Sequence, residues 1–471
     1  MGHSILTEFA HRGIELLRQD DPVLYELLDQ EYLRQTNTLA MIAASSIADP
    51  SVLACESMVT SNVTTEGYPG ARFHAGCKFV DEIERLAIER AKNVFQARYA
   101  NVQPHSGTSA NQIVTFSLLK PGDTILGLEL NSGGHLTHGS KASVSGQYFN
   151  AIGYGLNHDG LIDYDQVYRL AQELKPKLII SGASAYPRII DFKRFREIAD
   201  EVGAYLLADI SHIAGLVAAG EHPSSIDHAH FTTTSTYKQL YGPRGGLILM
   251  GKDYDRPSPD GKKTLSEMIQ RAVFPFFQGT PSLNTIAAKA RALAIVATPG
   301  FKRLAKRIVT DAEALAKCFA DKGYRVLTGG SDNHIVLIDV LQRGVTGVIA
   351  ERALEACNII VNKNRIPGDK KSALITSGMR LGTNSLALRG MGRNEMPLCA
   401  DLTDLVLSSV KVFGEQDYEL DKAIKESVEG EVKELCRRHP IPRYSIRLWE
   451  QEALVGEEPQ TLQASLVNLE A

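Results

Sequence analysis

The chain has 471 residues, 44% of them hydrophobic and 23% charged, with a formal net charge of −4; this length can bury a large core and points to two domains. That balance gives no general attraction to nucleic acid or to an anionic membrane. No apolar run approaches a bilayer span, and Met1-Gly2-His3-Ser4-Ile5 lacks the basic segment and apolar core of a signal peptide.

The first fifty residues read as a helical arm, with Ile14-Glu15-Leu16-Leu17 and Val23 to Leu28 keeping apolar residues near helical spacing. From Ser61 to Gly76 the Gly and Pro punctuation predicts an ordered, functional loop. The run 80–91, apolar at 80, 83, 86, 87 and 91, predicts an amphipathic helix. Short apolar strands are expected at 124–128, 178–181, 205–209 and 246–250, with helices at 164–174 and 194–202. Near-continuous apolar strands alternating with helices argue for a mostly parallel sheet covered on both faces, with ligands off the carboxyl ends of the strands. A helix-rich stretch from Pro281 to Lys322 leads to strands near 325–327 and 334–339 and a helix near 348–357. The expected division is an arm at 1–50, a large α/β domain at 51–290 and a smaller α+β domain at 291–471. The tail after Pro440 is acidic and Gln-rich, and disorder is expected in it. Six cysteines (Cys55, Cys77, Cys318, Cys357, Cys399, Cys436) lie far apart without metal-site spacing. No metal is therefore expected, and reduced thiols fit a cytoplasmic location.

The chemistry centres on the stretch from Phe231 to Gly246, where Lys238 sits among hydroxyls and small residues before a Gly-Pro turn and the apolar run Leu247-Ile248-Leu249-Met250. Desolvation there would depress the ammonium pKa and make Lys238 a carbonyl-trapping amine. On this stretch alone, a loop lysine paired with a carboxylate is the stronger reading, so the case depends on what surrounds it. Ser106, Gly107 and Thr108 precede an apparent helix, which is either a phosphate cradle or only an N-cap. His135 and His138 follow a strand and read as a stacking imidazole, a metal pair or buried histidines. Asp209 ends a strand, as partner of a protonated ring nitrogen or as a helix cap. Phosphate cradle, histidine, strand-end aspartate and lysine, in that order, are the set pyridoxal phosphate requires.

Across residues 20–445 the sequence resembles the serine hydroxymethyltransferase family. The resemblance rests on Glu66-Gly67-Tyr68-Pro69-Gly70, Tyr99 to Gly107, Gly133-Gly134-His135-Leu136-Thr137-His138-Gly139, Gly242-Pro243-Arg244-Gly245-Gly246, Asn362-Lys363-Asn364 and Thr376-Ser377-Gly378-Met379-Arg380. It implies a fold-type I pyridoxal phosphate enzyme: a mainly parallel seven-stranded sheet in the large domain, a smaller α+β domain, and active sites shared across a homodimer, or a tetramer built from it. By the same resemblance Lys238 is the Schiff-base lysine, Asp209 the ring-nitrogen partner and His135 the stacked residue. Ser106, Gly107, Thr108 and, across the interface, Gly279 are implied as phosphate ligands, with Ser184 and His212 beside the cofactor phenolate. Arg380 is implied as the clamp on the amino-acid carboxylate, with His212 and His74 at the substrate, and Glu66 as the acid–base group donated by the partner. Leu130, Gly134, Leu136, Phe274 and Asn364 are implied as folate-facing; the Leu and Phe among them are equally readable as packing residues.

The departures fall in the same region. Tyr237 stands where the family has a histidine before the lysine, Thr64 and His74 where it has tyrosines, Ala44-Ser45-Ser46 where it has Ser-Glu-Asn, and Phe276-Phe277-Gln278-Gly279-Thr280 in its glycine-rich turn. Tyr237 and Thr64 therefore join the expected catalytic positions. The activity expected is hydroxymethyl transfer from serine or α-methylserine to tetrahydrofolate. The alternatives are a folate-independent threonine aldolase or transaldolase, and a non-catalytic cofactor-binding protein, against which the intact Lys238, Asp209 and Arg380 argue.

Overall fold

The computed structural model describes residues 4–445. Seven strands form its main sheet, in the order Tyr99–Asn101, Gly246–Met250, Phe231–Ser235, Tyr205–Asp209, Leu178–Gly182, Thr124–Leu128, Asn150–Tyr154. The last five run parallel, and Gly246–Met250 is antiparallel to both of its neighbours. Successive side chains of a strand point to opposite faces. Accordingly Leu126, Ile179, Leu206 and Leu247 enter one core and Ile125, Leu178, Ile180, Leu207 and Ile248 the other. Both faces are covered, which is why these strands read as unbroken apolar runs.

The covering helices carry their own start and stop signals. Asp163 and Asp191 accept hydrogen bonds from Gln166 N and Arg194 N at the starts of Tyr164–Leu174 and Phe192–Val202. Gly203, left-handed at φ 71°, ends the second.

A second, antiparallel sheet runs Arg325–Val326, Ile335–Asp339, Gly378–Gly382, Asn362–Asn364. Helix Pro299–Asp321 joins it to the first sheet, giving Phe301, Ala305 and Ile308 to one core and Ala312, Leu315, Ala316 and Phe319 to the other. The arm comprises helices Ile5–Asp20 and Pro22–Asn37, after which Leu39–Ala40 pairs in parallel with Ile359–Ile360, and Leu39 and Met41 enter the second core.

The strands expected at 124–128, 205–209 and 246–250 lie at those positions, and 178–181 extends to Gly182. Tyr99–Asn101, Asn150–Tyr154 and Phe231–Ser235 were not expected. The first two are edge strands with Asn, Gly and Ala in place of apolar runs, and the third is mostly threonine and serine yet fully buried. The tail expected to be disordered lies, from residue 446 on, outside the described residues.

The loop at 61–76 contains the hairpin Gly67–Tyr68 with Ala71–Arg72. Arg72 fixes it: its guanidinium donates to Thr65 O and Gly67 O at 2.9 Å, and reaches Asp81 at 2.8 Å and Glu84 at 2.6 Å on helix Lys78–Phe95. The side chains of Arg72 and Glu84 are 3% and 1% exposed, so water cannot replace a lost partner. Breaking such a pair from one side costs about 3–5 kcal/mol. Arg72→Met is expected to lower the free energy of unfolding in urea by that amount, and a loss below about 1 kcal/mol would contradict the role given to this cluster.

Candidate active site

Five turns at the carboxyl ends of neighbouring strands, or leading out of Tyr99–Asn101, converge on one cavity. It is lined by Ser106, Gly107 and Thr108; by His135; by Ser184; by Asp209, Ser211 and His212; and by Ser235, Tyr237 and Lys238, with Arg244 closing one side. All nine of these that the sequence assigned to cofactor or catalysis are therefore brought together.

Asp209 ends the middle strand of the sheet. Its Oδ2 accepts from Asn111 Nδ2 at 2.7 Å and from His138 Nε2 at 3.1 Å, and its Oδ1 from Ser211 N at 3.0 Å. The His138 tautomer follows from its other nitrogen, since Nδ1 accepts the His135 N–H at 3.4 Å and leaves Nε2 as the donor. Burial alone would raise the Asp209 carboxyl. The hydrogen bonds from His138 and the Ser211 N–H outweigh it and hold the group ionised, well below the usual carboxylate range. Oδ1 keeps acceptor capacity toward the cavity, which Asp209 lines. His135 Nδ1 accepts from Thr137 N at 3.2 Å, and burial pushes the ring down to about 4, so it stays neutral. His135, His138 and Asp209 offer ligand atoms within 4.8 Å of one another, the geometry of the metal reading, but two of Asp209's bonds to protein already come from this neighbourhood.

Lys238 is 7% exposed, and burial, with Arg380 and Arg244 adding to it and Asp209 opposing, lowers its ammonium pKa to about 8. The Ser46 hydroxyl donates to Tyr237 O at 2.5 Å, and the Arg244 guanidinium stacks on the Tyr237 ring at 4.0 Å, so the backbone next to Lys238 is held from both sides. Burial pushes His212 well below its ordinary value, Lys238 and Arg380 adding to the effect, so this imidazole too is neutral.

The cavity fits a phosphorylated pyridine aldehyde. Ser106 caps helix Gly107–Leu118, where Gly107 and Thr108 stand in the first turn with N–H groups that have no acceptor inside the helix. A Cβ on Gly107 would meet Ser235 Cβ and N at 3.2 Å, so only glycine leaves this floor open. Among the described residues Ser235 Oγ and His212 Nδ1 are buried without a partner, two polar atoms on the lining that a polar ligand would satisfy.

Arg380, in strand Gly378–Gly382, reaches the cavity's edge from the second sheet. It donates through Nε to Asn362 Oδ1 at 3.1 Å and through Nη1 to Ser184 O. Among the described residues no carboxylate pairs with it, and burial pulls it down to about 10. A part-buried guanidinium fork without an anion is suited to a ligand carboxylate.

Other expected residues lie elsewhere in the chain. Glu66 Oε2 meets His74 Nε2 at 3.3 Å, both part-exposed; a Cβ on Gly279 would lie 3.5 Å from Glu66 Oε1; and the Phe73 and Phe274 rings pack edge to face at 5.6 Å. Neither this cluster nor the exposed Thr64 lines the Lys238 cavity of its own chain. Leu130 and Leu136 are 46% and 47% exposed on the turn that carries Gly134 and His135, and Arg365, next to Asn364, donates to Asn131 at 2.6 Å and brings that strand alongside. Sequence reasoning gave no role to Asn111, Ser211, Ser235 or Arg244. Asn111 stands one helical turn past Gly107, so helical spacing from the cradle was a usable signal; Ser211 N meets Asp209 two residues back, whereas the Ser211 Oγ contact with Ser235 N is tertiary and has no local pattern.

The family model described as serine hydroxymethyltransferase matches residues 17–403. A relative described as a probable serine hydroxymethyltransferase, from Rickettsia bellii (strain RML369-C), is 48% identical over 426 residues, covering 90% of this chain and 98% of the relative.

A lysine at about 8 holds on the order of a hundredfold more free amine at neutral pH than an ordinary one. Borohydride trapping of pyridoxal phosphate on cofactor-free protein is expected to label Lys238 first, at a rate that rises with pH and levels off past about 8. A rate still climbing near pH 10 would show an ordinary lysine.

Proposed function

Because the chain belongs to the serine hydroxymethyltransferase family, whose members are pyridoxal phosphate-dependent and use tetrahydrofolate as cosubstrate, we propose that it moves the hydroxymethyl carbon of serine or α-methylserine to tetrahydrofolate by a retro-aldol reaction. The observation that carries the reading is the part-buried Arg380 fork near Lys238, which among the described residues has no carboxylate partner, because it calls for a small amino-acid carboxylate at that place.

Bound pyridoxal phosphate supplies the sink for charge that develops at the amino-acid α-carbon. Ser106, Gly107 and Thr108 would hold its phosphate, and His135 would lie against the ring. Asp209 would pair with the ring nitrogen and favour its protonated form, Lys238 would supply the amine for the aldehyde, and Ser184 and His212 would lie beside the phenolate oxygen. Arg380 orients the substrate carboxylate, with His212 and His74 nearby. Glu66, Thr64 and Gly279 serve the cavity of a second copy in a homodimer; their placement together, away from their own Lys238, supports this. Glu66 is the acid–base group there. Leu130, Gly134, Leu136, Phe274 and Asn364 face the folate. The division into an arm at 1–50, a large domain at 51–290 and a small one from 291 belongs to the same proposal and is supported by the two core clusters that meet along helix Pro299–Asp321. Among the described residues no helix is long and apolar enough to cross a membrane, in keeping with the proposed cytoplasmic location.

Thr64, small where a tyrosine is expected, and Tyr237 reshape one wall. Space for one methyl group changes discrimination by about 1–3 kcal/mol, enough to make α-methylserine competitive with serine. The wild type is expected to release the hydroxymethyl carbon of α-methylserine only with tetrahydrofolate, and Thr64→Tyr with Tyr237→His to shift preference toward serine. Equal aldehyde release without folate would favour the aldolase reading, and unchanged selectivity in the double variant would remove these two residues from specificity.

A further inference from the structure

Lys289 is a lysine that this account of the reaction does not use. It stands on helix Leu283–Val296, is 1% exposed, and its Nζ donates to Val102 O at 2.7 Å, Pro104 O at 3.0 Å and Gly246 O at 3.0 Å. Three carbonyl acceptors require three N–H donors, and a neutral amine has only two. The geometry is therefore that of the ammonium, although burial pushes the group down to about 7 against the pull of Glu84. A buried cation with every donor satisfied, and no carboxylate bonded to it, serves the backbone that surrounds it.

That backbone belongs to two parts of the cavity. Val102 and Pro104 lie in the run between strand Tyr99–Asn101 and the cradle Ser106-Gly107-Thr108, and Gly246 begins the strand that follows the Lys238 turn. The parts touch directly as well. Gly246 N donates to Pro104 O at 2.9 Å, a Cβ on Gly246 would run into Ser106 O, and one on Gly245 would run into the Lys289 side chain. Gln278 completes the set by donating to Gln103 O at 3.0 Å and accepting from His105 N at 3.1 Å. Without the ammonium, three inward-facing carbonyls would repel one another across this junction.

We propose that Lys289 is a positioning residue for the phosphate end of the site: its ammonium ties the cradle at Ser106–Thr108 to the Lys238 turn through three carbonyls, and so sets how tightly the phosphate is held. The inference rests on the reading of Ser106, Gly107 and Thr108 as the phosphate cradle. Its effect is selective for phosphate, whereas a general loss of packing would weaken every ligand alike.

The test titrates cofactor-free protein with pyridoxal phosphate and with pyridoxal, and adds inorganic phosphate in thermal melts as a probe that needs no carbonyl chemistry. Lys289→Gln keeps two donors without the charge, and Lys289→Met keeps none. For Lys289→Gln the Kd of pyridoxal phosphate is expected to rise by about tenfold or more while that of pyridoxal moves by less than about threefold, and the stabilisation by inorganic phosphate is expected to shrink. Lys289→Met is expected to lie further in the same direction. If both ligands weaken by one factor, or neither weakens, the proposal is overturned. If the wild type itself fails to prefer pyridoxal phosphate over pyridoxal, the cradle reading fails instead.

Discussion

The Asp209 carboxylate is kept ionised in the interior at the end of the middle strand, and the rest of the site is arranged around the means of doing so. Desolvation opposes that charge, and it persists because Asn111, His138 and the Ser211 N–H converge on its two oxygens. Each donor is itself held. Asn111 accepts from Thr233 Oγ1 at 2.5 Å and donates to Thr137 Oγ1 at 2.9 Å, and His138 is fixed by the turn that also presents His135. The buried Thr233 of strand Phe231–Ser235 is thus explained by the carboxylate it serves through Asn111.

The same charge sets the chemistry of its neighbours. It opposes the depression of the Lys238 pKa and leaves that amine near 8, where both forms are populated around neutrality. Arg380, supplied from the second sheet, adds its charge near Lys238 and His212. The separation of carboxylate, amine and guanidinium depends on two sheets keeping one relative position. Helix Pro299–Asp321, with residues in both cores, the Arg380 bond to Ser184 O, the Arg188–Asp332 ion pair and the Tyr241 bond to Asn384 O are among the contacts that maintain it. The family to which the chain belongs performs pyridoxal phosphate chemistry, and this arrangement supplies the fixed charges such chemistry needs.

Much of this was legible in the sequence wherever one residue type had one physical use. Apolar strands buried on both faces announced themselves as runs, and the strand-end Asp209, the lysine in its small-residue setting and the Ser-Gly-Thr turn were readable in order. Phe231–Ser235 escaped because its three threonine hydroxyls hydrogen-bond inside the protein, a use that local composition reports as exposure. Tyr99–Asn101 and Asn150–Tyr154 escaped because edge strands need little apolar surface. Asn111 and Lys289 escaped for a different reason: each acts on atoms far away in the chain, 98 positions in the Asn111–Asp209 bond and 187 in the Lys289–Val102 bond. Glu66 and Thr64 were named from resemblance alone, and their own chain places them outside the cavity.

The central claim, that Asp209 fixes a proton on the ring nitrogen of the cofactor, is open to direct measurement by nitrogen NMR of isotopically labelled pyridoxal phosphate bound to the protein. The account predicts a protonated ring nitrogen in the wild type throughout the neutral range and an unprotonated one in Asp209→Ala. A wild-type nitrogen without its proton, or one that keeps it after Asp209 is removed, would contradict the account.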